Sequence, residues 1–205
     1  MTRISNEYNA INLSQGFPDF DPPKEMLDRL SEVAYEGPHQ YSITFGAKNF
    51  RNALARKVSR TLGRDIDPEK EICVTCGGTE SMMATMMTIC NPGDKVMVFS
   101  PFYENYGADA ILSGADPIFI PLVPPTYDFD ITLIEDGFKQ GAKAIIICNP
   151  SNPCGKVFTR EELTAIGALA AIVAAIFSAV PEALYSSFSY PLILDTPSVN
   201  TSFTA

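Results

Sequence analysis

Apolar positions along the chain fall into two rhythms. In "KEMLDRLSEVAYE" (24–36) they recur at 26, 27, 30, 33 and 34. In "AKNFRNALARKVSRTLG" (47–63) Phe50, Leu54, Val58 and Leu62 share one face and Gly63 is a stop. Both spacings predict helices. Beyond them, short continuous apolar runs alternate with further helical stretches. Strands are predicted at 71–75, "KVMVFS" (95–100), "PIFIPL" (117–122) and "KAIIIC" (143–148), with helices at 79–90, 104–113 and 131–139 between them. "TREEL" opens one more helix, with Thr159 as N-cap and Glu162 as its capping-box partner. Strands alternating with helices predict a mostly parallel sheet covered on both faces, a three-layer α/β/α arrangement. Ahead of it, "AINLSQGFPDFDPP" (10–23) is rich in Gly and Pro and predicts an extended arm.

Composition narrows the class. With 46% apolar and 19% charged residues, the 205-residue chain is globular, not disordered. A formal charge of −9 without a basic stripe argues against nucleic acid as a partner. The start, "MTRISNEYNAINLSQGF", lacks the apolar core of a signal peptide. Cys73, Cys76, Cys90, Cys148 and Cys154 lie in or beside apolar runs without framework spacing, which fits reduced thiols in a cytoplasmic protein. Charge then breaks off: every Lys and Arg lies at or before Arg160, and residues 161–205 carry only Glu161, Glu162, Glu182 and Asp195. The uncharged run "LTAIGALAAIVAAIFSAV" (163–180) is at the short end for a membrane span and has no basic residues flanking its far side. A frameshift, premature stop or mispredicted splice just after "EELTAIGALA" accounts for the break better than a membrane tail.

Candidate chemistry gathers at the ends of the predicted strands, where open α/β sheets place ligand groups. Gly77-Gly78-Thr79 joins a strand to a helix N-terminus, where unpaired N–H groups and the helix dipole suit an anion such as phosphate. The same glycines also suit a tight turn. Tyr103, in "SPFYENY", could stack on a planar heterocycle or simply pack. Asn152, in "NPSNPCGKVF" (149–158), could hydrogen-bond a ring substituent or form an Asx turn. Cys73 and Cys76 form a lone pair without a second half-site and read as packing. His39 is the only histidine, so a histidine-based triad or a multi-histidine metal site is nearly excluded, and it reads as a loop residue.

Taken in order, the Gly/Pro arm, the Tyr loop, the Gly-Gly-Thr turn, the aromatic loop and Asn-Pro-x-Asn-Pro resemble the N-terminal half of the class I/II aminotransferases, the fold-type-I enzymes that use pyridoxal phosphate. The likeness covers about residues 10–165 and is nearest the kynurenine, methionine and aromatic aminotransferases, where "LSQGFPDF" is a characteristic start. It implies transfer of an amino group from an amino acid to a 2-oxo acid, in a homodimer. It implies an N-terminal arm and part of a small domain at 1–36, an incomplete pyridoxal-phosphate-binding large domain at 37–162, and an apolar tail at 163–205 outside the family pattern. By the same resemblance, Gly16 lies against the substrate carboxylate and Tyr41 reaches across a dimer interface to the partner's cofactor phosphate. Gly78 and Thr79 hold the chain's own cofactor phosphate, Tyr103 stacks on the pyridine ring, and Asn152 bonds its O3′ oxygen. Cys154 stands where the family usually has Thr.

The resemblance also implies groups that this sequence lacks. The family's imine-forming lysine, in a Ser-x-Ser-Lys-like stretch, lies well downstream of the Asn-Pro loop, as does the arginine that clamps the substrate carboxylate. Here no Lys follows Lys156 and no Arg follows Arg160. "SSFSY" (186–190) puts Tyr190 in the lysine's place, and "PLILD" (191–195) ends in Asp195 in the wrong order for the aspartate that pairs with the ring nitrogen. The chain is therefore expected to be truncated, inactive alone and poorly stable, with 71–75 deprived of sheet neighbours. Two other readings remain: a C–S lyase of the same fold, and a non-catalytic remnant that pairs with a full-length subunit through the Tyr41 surface.

Overall fold

The run Lys95–Ser100 is apolar on both faces, and the structure puts it in the middle of the sheet. In the computed structural model, which describes residues 1–178 apart from 15, 17 and 38, β1 (Lys95–Ser100) pairs in parallel with β2 (Asp116–Pro121) and β3 (Ala142–Ile146). The order is β2-β1-β3, with Lys95 opposite Asp116, Ser100 opposite Pro121 and Val98 opposite Ile146. A central parallel strand is covered on both faces, which is why it reads as a continuous apolar run.

Alternate residues of β1 enter two separate cores. Val96 and Val98 pack with Met86, Cys90, Ala110 and Ala115, beneath the helices α4 (Gly77–Ile89) and α5 (Asn105–Leu112). Met97 and Phe99 pack with Ile120, Ile134, Phe158 and Ile166, beneath α6 (Ile131–Lys139) and α7 (Arg160–Ser178). Helices on each side of a parallel sheet make the three expected layers. The second core is tight: a Cβ on Gly137 of α6 would collide with Met97 Sδ. At the opposite edge from the loops described below, Asp94 and Lys143 form a largely buried ion pair at 2.9 Å that clips the start of β1 to β3.

The chain divides into two compact units, Met1–Thr44 and Phe45 onward. The first contains α1 (Thr2–Glu7) and α2 (Lys24–Val33). α1 has no sequence signal: it is short, uncapped by any side chain and buries nothing. α2 lies where its periodicity predicts, yet Met26, Leu27, Leu30 and Val33 of its apolar stripe remain exposed.

Three expectations are corrected in the second unit. Residues 71–75 form no strand; the backbone of Val74 donates one hydrogen bond, to Phe45 O at 3.0 Å, and no described strand lies beside it. A strand exists only through its neighbours, so an apolar run without one stays irregular. Cys73 is consequently exposed, as is Cys76, and neither is a packing residue. In α3 (Lys48–Leu62) the inward face is Arg51 and Ala55, while Phe50 and Leu62 are exposed. The buried Arg51 guanidinium donates to Gly46 O at 3.0 Å and Pro68 O at 2.6 Å and pairs with Glu69, so its charge is satisfied by backbone and carboxylate. Residues 179–205, with "SSFSY" and "PLILD", lie outside the described residues. Among the described residues no helix is long and apolar enough to cross a membrane.

Candidate functional site

Because β1 and β3 are parallel, the loops that leave their carboxyl ends emerge at one edge of the sheet. The first site element, the turn into α4, separates the roles of its two glycines. Gly77 has φ +79°, a left-handed conformation that glycine alone takes readily. Gly78 has no such requirement, and a Cβ there would meet nothing within 4 Å. The tight-turn explanation therefore accounts for Gly77 and leaves Gly78 unexplained by the chain itself. Gly77 N–H donates to Thr75 O at 2.9 Å and Cys76 N–H donates to the Glu80 carboxylate. The N–H groups of Gly78 and Thr79 find no acceptor among the described residues. α4 starts at Gly77, two residues before the predicted Thr79, so both groups lie within its first turn and carry its positive end.

The aromatic loop after β1 sorts its three rings. Phe102 stacks on Phe119 with centroids 5.3 Å apart and lies 3.0 Å from where a Gly107 Cβ would stand, so it is a packing residue. Tyr103 meets Tyr106 edge-on at 5.8 Å and is 37% exposed, which leaves ring surface available. Tyr106 is half-buried. Its hydrogen bond with the Cys148 thiol, with burial and the neighbouring Cys148 and Tyr103 groups adding, pushes its phenol up to about 12. Two residues past Tyr103, Asn105 Nδ2 donates to Thr79 Oγ1 at 2.8 Å and joins this loop to the glycine turn. Sequence reasoning passed over Asn105; the available signal was a polar side chain at the first position of a helix leaving the central strand.

In the Asn-Pro loop the two asparagines differ. Asn149 Oδ1 accepts from Phe158 N–H at 3.0 Å and closes the loop. Ser151 N–H donates to Lys156 O and Gly155 N–H to Ser151 O, each at 2.8 Å. The buried Lys156 ammonium pairs with Glu162 at 2.8 Å and lies 5.3 Å from the Phe158 ring centre. The other Glu162 oxygen accepts from Thr159 N–H at 2.8 Å while Thr159 Oγ1 accepts from Glu162 N–H, the expected capping box. Within this rigid frame Asn152 is exposed, and its amide has no partner among the described residues. It lines a small cleft with Phe102, Tyr106, Cys148 and Ser151. The Asx-turn alternative does not apply to Asn152. β3 ends at Ile146, two residues short of its predicted end, which gives Cys148 to the loop.

Thr79, Tyr103 and Asn152 thus belong to one connected surface, through Asn105, Tyr106 and the cleft. Gly16 and Tyr41 belong to the first unit, where both are exposed, Tyr41 entirely. No group of His, Cys, Asp or Glu among the described residues could hold a metal ion. The surface offers donors to an anion, a ring face and a free carboxamide at one sheet edge.

Comparison with known proteins gives this edge a context. The sequence model of the family "Aminotransferase class I and II" matches residues 8–176. The chain is 36% identical over 172 residues to the probable N-succinyldiaminopimelate aminotransferase DapC of Mycobacterium tuberculosis, covering 83% of this chain and 43% of that protein. It is 36% identical over 179 residues to kynurenine–oxoglutarate transaminase 3 of Mus musculus, covering 82% and 39%. Among solved structures it superposes on the methionine aminotransferase YbdL of Escherichia coli with a TM-score of 0.78 and 32% identity, covering 83% of this chain and 45% of that one. The chain therefore spans less than half the length of these relatives. The match runs through every loop of the sheet edge, and this chain belongs to the class I and II aminotransferases.

Proposed function

We propose that the chain forms the cofactor-binding edge of a pyridoxal phosphate-dependent aminotransferase, whose complete form moves an amino group from an amino acid to a 2-oxo acid. One observation carries the reading: Gly78 is a glycine without an internal reason to be one, beside N–H groups without acceptors. A phosphate approaching the backbone supplies the reason for both. The other groups fit the same molecule. The exposed face of Tyr103 suits a pyridine ring and the free Asn152 amide suits its O3′ oxygen. Gly16 lies against the substrate carboxylate, and in a homodimer Tyr41 of one subunit serves the cofactor phosphate of the other.

When bound, pyridoxal phosphate supplies an electron sink for charge developing at the substrate's α-carbon. The protein's own residues bind and orient. Gly78 and Thr79 would donate to the phosphate, Tyr103 would stack on the ring, and Asn152 would hydrogen-bond its O3′ oxygen. The Tyr106 phenol, raised to about 12, keeps its proton at neutral pH and lines the cleft without charge. The chain does not complete turnover by itself, a reading supported by the lack of any Lys after Lys156 and any Arg after Arg160. Its free cysteines favour a reducing compartment, the cytoplasm.

Equilibrium dialysis against pyridoxal phosphate tests this. The chain binds it reversibly, and Gly78→Val, whose Cβ would meet no protein atom within 4 Å, is expected to abolish binding while leaving the fold intact. Unchanged binding by Gly78→Val would place the phosphate elsewhere and overturn the proposal.

A further inference from the structure

We infer that Asn105 is a positioning residue for the phosphate end of this site, acting through the Thr79 hydroxyl; the inference rests on the pyridoxal phosphate reading above. The bond from Asn105 Nδ2 to Thr79 Oγ1 is 2.8 Å long. A hydroxyl has one hydrogen to give and two lone pairs with which to accept. An amide nitrogen only donates, so Asn105 fills a lone pair and leaves the Thr79 hydrogen for another acceptor. No described residue accepts it. The N–H groups of Thr79 and Gly78 also lack acceptors, so three donors on two successive residues await an anion.

The bond has a second consequence. Thr79 lies in the first turn of α4, and the segment that feeds α4 belongs to no strand of the sheet. The far half of α4 is held by Met86 and Cys90 in the core, but its first turn has no ladder behind it. Asn105 is the first residue of α5, on the loop leaving β1 and two residues from Tyr103. The bond therefore sets the phosphate donors against the ring-stacking loop, the two places that must meet one cofactor. Thr79 is exposed and Asn105 half-buried, and the bond itself lies at the surface, so water replaces it at little loss when the site is empty. Its effect appears when phosphate is held, because a donor into Thr79 Oγ1 polarises the hydroxyl toward the anion.

The test is made on the full chain with two probes, pyridoxal phosphate and pyridoxal, which lacks the phosphate. Asn105→Ala is expected to weaken pyridoxal phosphate by about tenfold, the usual scale for a hydrogen bond to a charged group, and to leave pyridoxal unchanged. In a Thr79→Ala background the same substitution should change pyridoxal phosphate affinity by less than about twofold, since its route is already removed. Asn105→Asp has the same shape but carries charge and presents no N–H; it should weaken pyridoxal phosphate more than alanine does, and it keeps the test available if the alanine variant unfolds. Equal losses for both probes, an undiminished loss in the Thr79→Ala background, or no loss at all would overturn the inference while leaving the cofactor reading standing. If the unaltered chain binds neither probe, the cofactor reading falls and the inference falls with it.

Discussion

Residues 71–75 and 142–146 are alike as sequences, each a short apolar run that delivers the chain to a loop of candidate site residues. In three dimensions they differ. β3 lies beside β1, and the loop that follows it is closed by Asn149, Lys156 and the Thr159–Glu162 cap. The backbone of residues 71–75 makes only turn bonds at its two ends, Glu71 N–H to Asp67 O and Gly77 N–H to Thr75 O, and one bond to a more distant segment, from Val74 N–H to Phe45 O; it forms no strand. The glycine turn that follows is held by helix packing and by the side chain of Asn105 instead of by a ladder. An apolar run is only a candidate strand; a neighbour makes it one. The two halves of the candidate site consequently rest on supports of different kinds, a sheet for Asn152 and side chains for Thr79.

The sharpest way to break this comparison is to truncate one apolar side chain in the sheet and one in residues 71–75. Met97→Ala, in the fully buried centre of β1, should cost about 2–5 kcal/mol, comparable with the whole stability of a marginal fold. Val74→Ala, in the irregular segment, should cost about 1 kcal/mol or less. Urea unfolding of both variants checks this, and equal costs would mean that 71–75 is as well packed as the sheet.

Next in size is the closure of the Asn-Pro loop. Thr159→Ala removes the acceptor for Glu162 N–H and should cost about 0.5–2 kcal/mol. It should also speed hydrogen exchange through 149–158 while leaving that of the Gly78 turn unchanged. Exchange rising equally at both places would show the two supports to be one.

A smaller effect lies at the other edge of the sheet. Burial opposes ionisation of Asp94, but hydrogen bonds from Asn91 and Lys143 outweigh it and hold the carboxyl below its ordinary range. A lowered folded value means that this stabilisation is present above the unfolded carboxyl value of about 4 and is lost as pH falls through the folded value. Asp94→Asn should lower stability by about 1 kcal/mol at neutral pH and flatten its acid dependence, as followed by urea midpoints from pH 7 downward. The smallest expected change is spectroscopic. Cys148→Ala should return the Tyr106 phenol from about 12 toward its ordinary value, as seen in absorbance titration.

Much of the fold was legible because local pattern and tertiary context agreed. β1 and α6 have the predicted bounds, β2 is displaced by one residue, and the Thr159–Glu162 box is as read. The failures have distinct causes. Residues 71–75 had the pattern but no neighbour. α3 turned Arg51 inward because carbonyl oxygens of Gly46 and Pro68, remote from the periodic stripe, satisfy its charge. At the site, Gly78, Thr79, Tyr103 and Asn152 were visible as residue types at strand ends. Asn105 was not, because its role lies in a bond across 26 positions of sequence that no local spacing records.

The most direct test of the account is to saturate the chain with pyridoxal phosphate, reduce one portion with borohydride, and compare intact masses after removing unbound ligand. The account predicts saturable, dialysable binding and no stoichiometric pyridoxyl adduct at a single lysine. One stoichiometric adduct at a single lysine would mean that the chain contains its own covalent anchor. Failure to bind at all would contradict the assignment of the Gly78–Thr79 turn, Tyr103 and Asn152 to a cofactor.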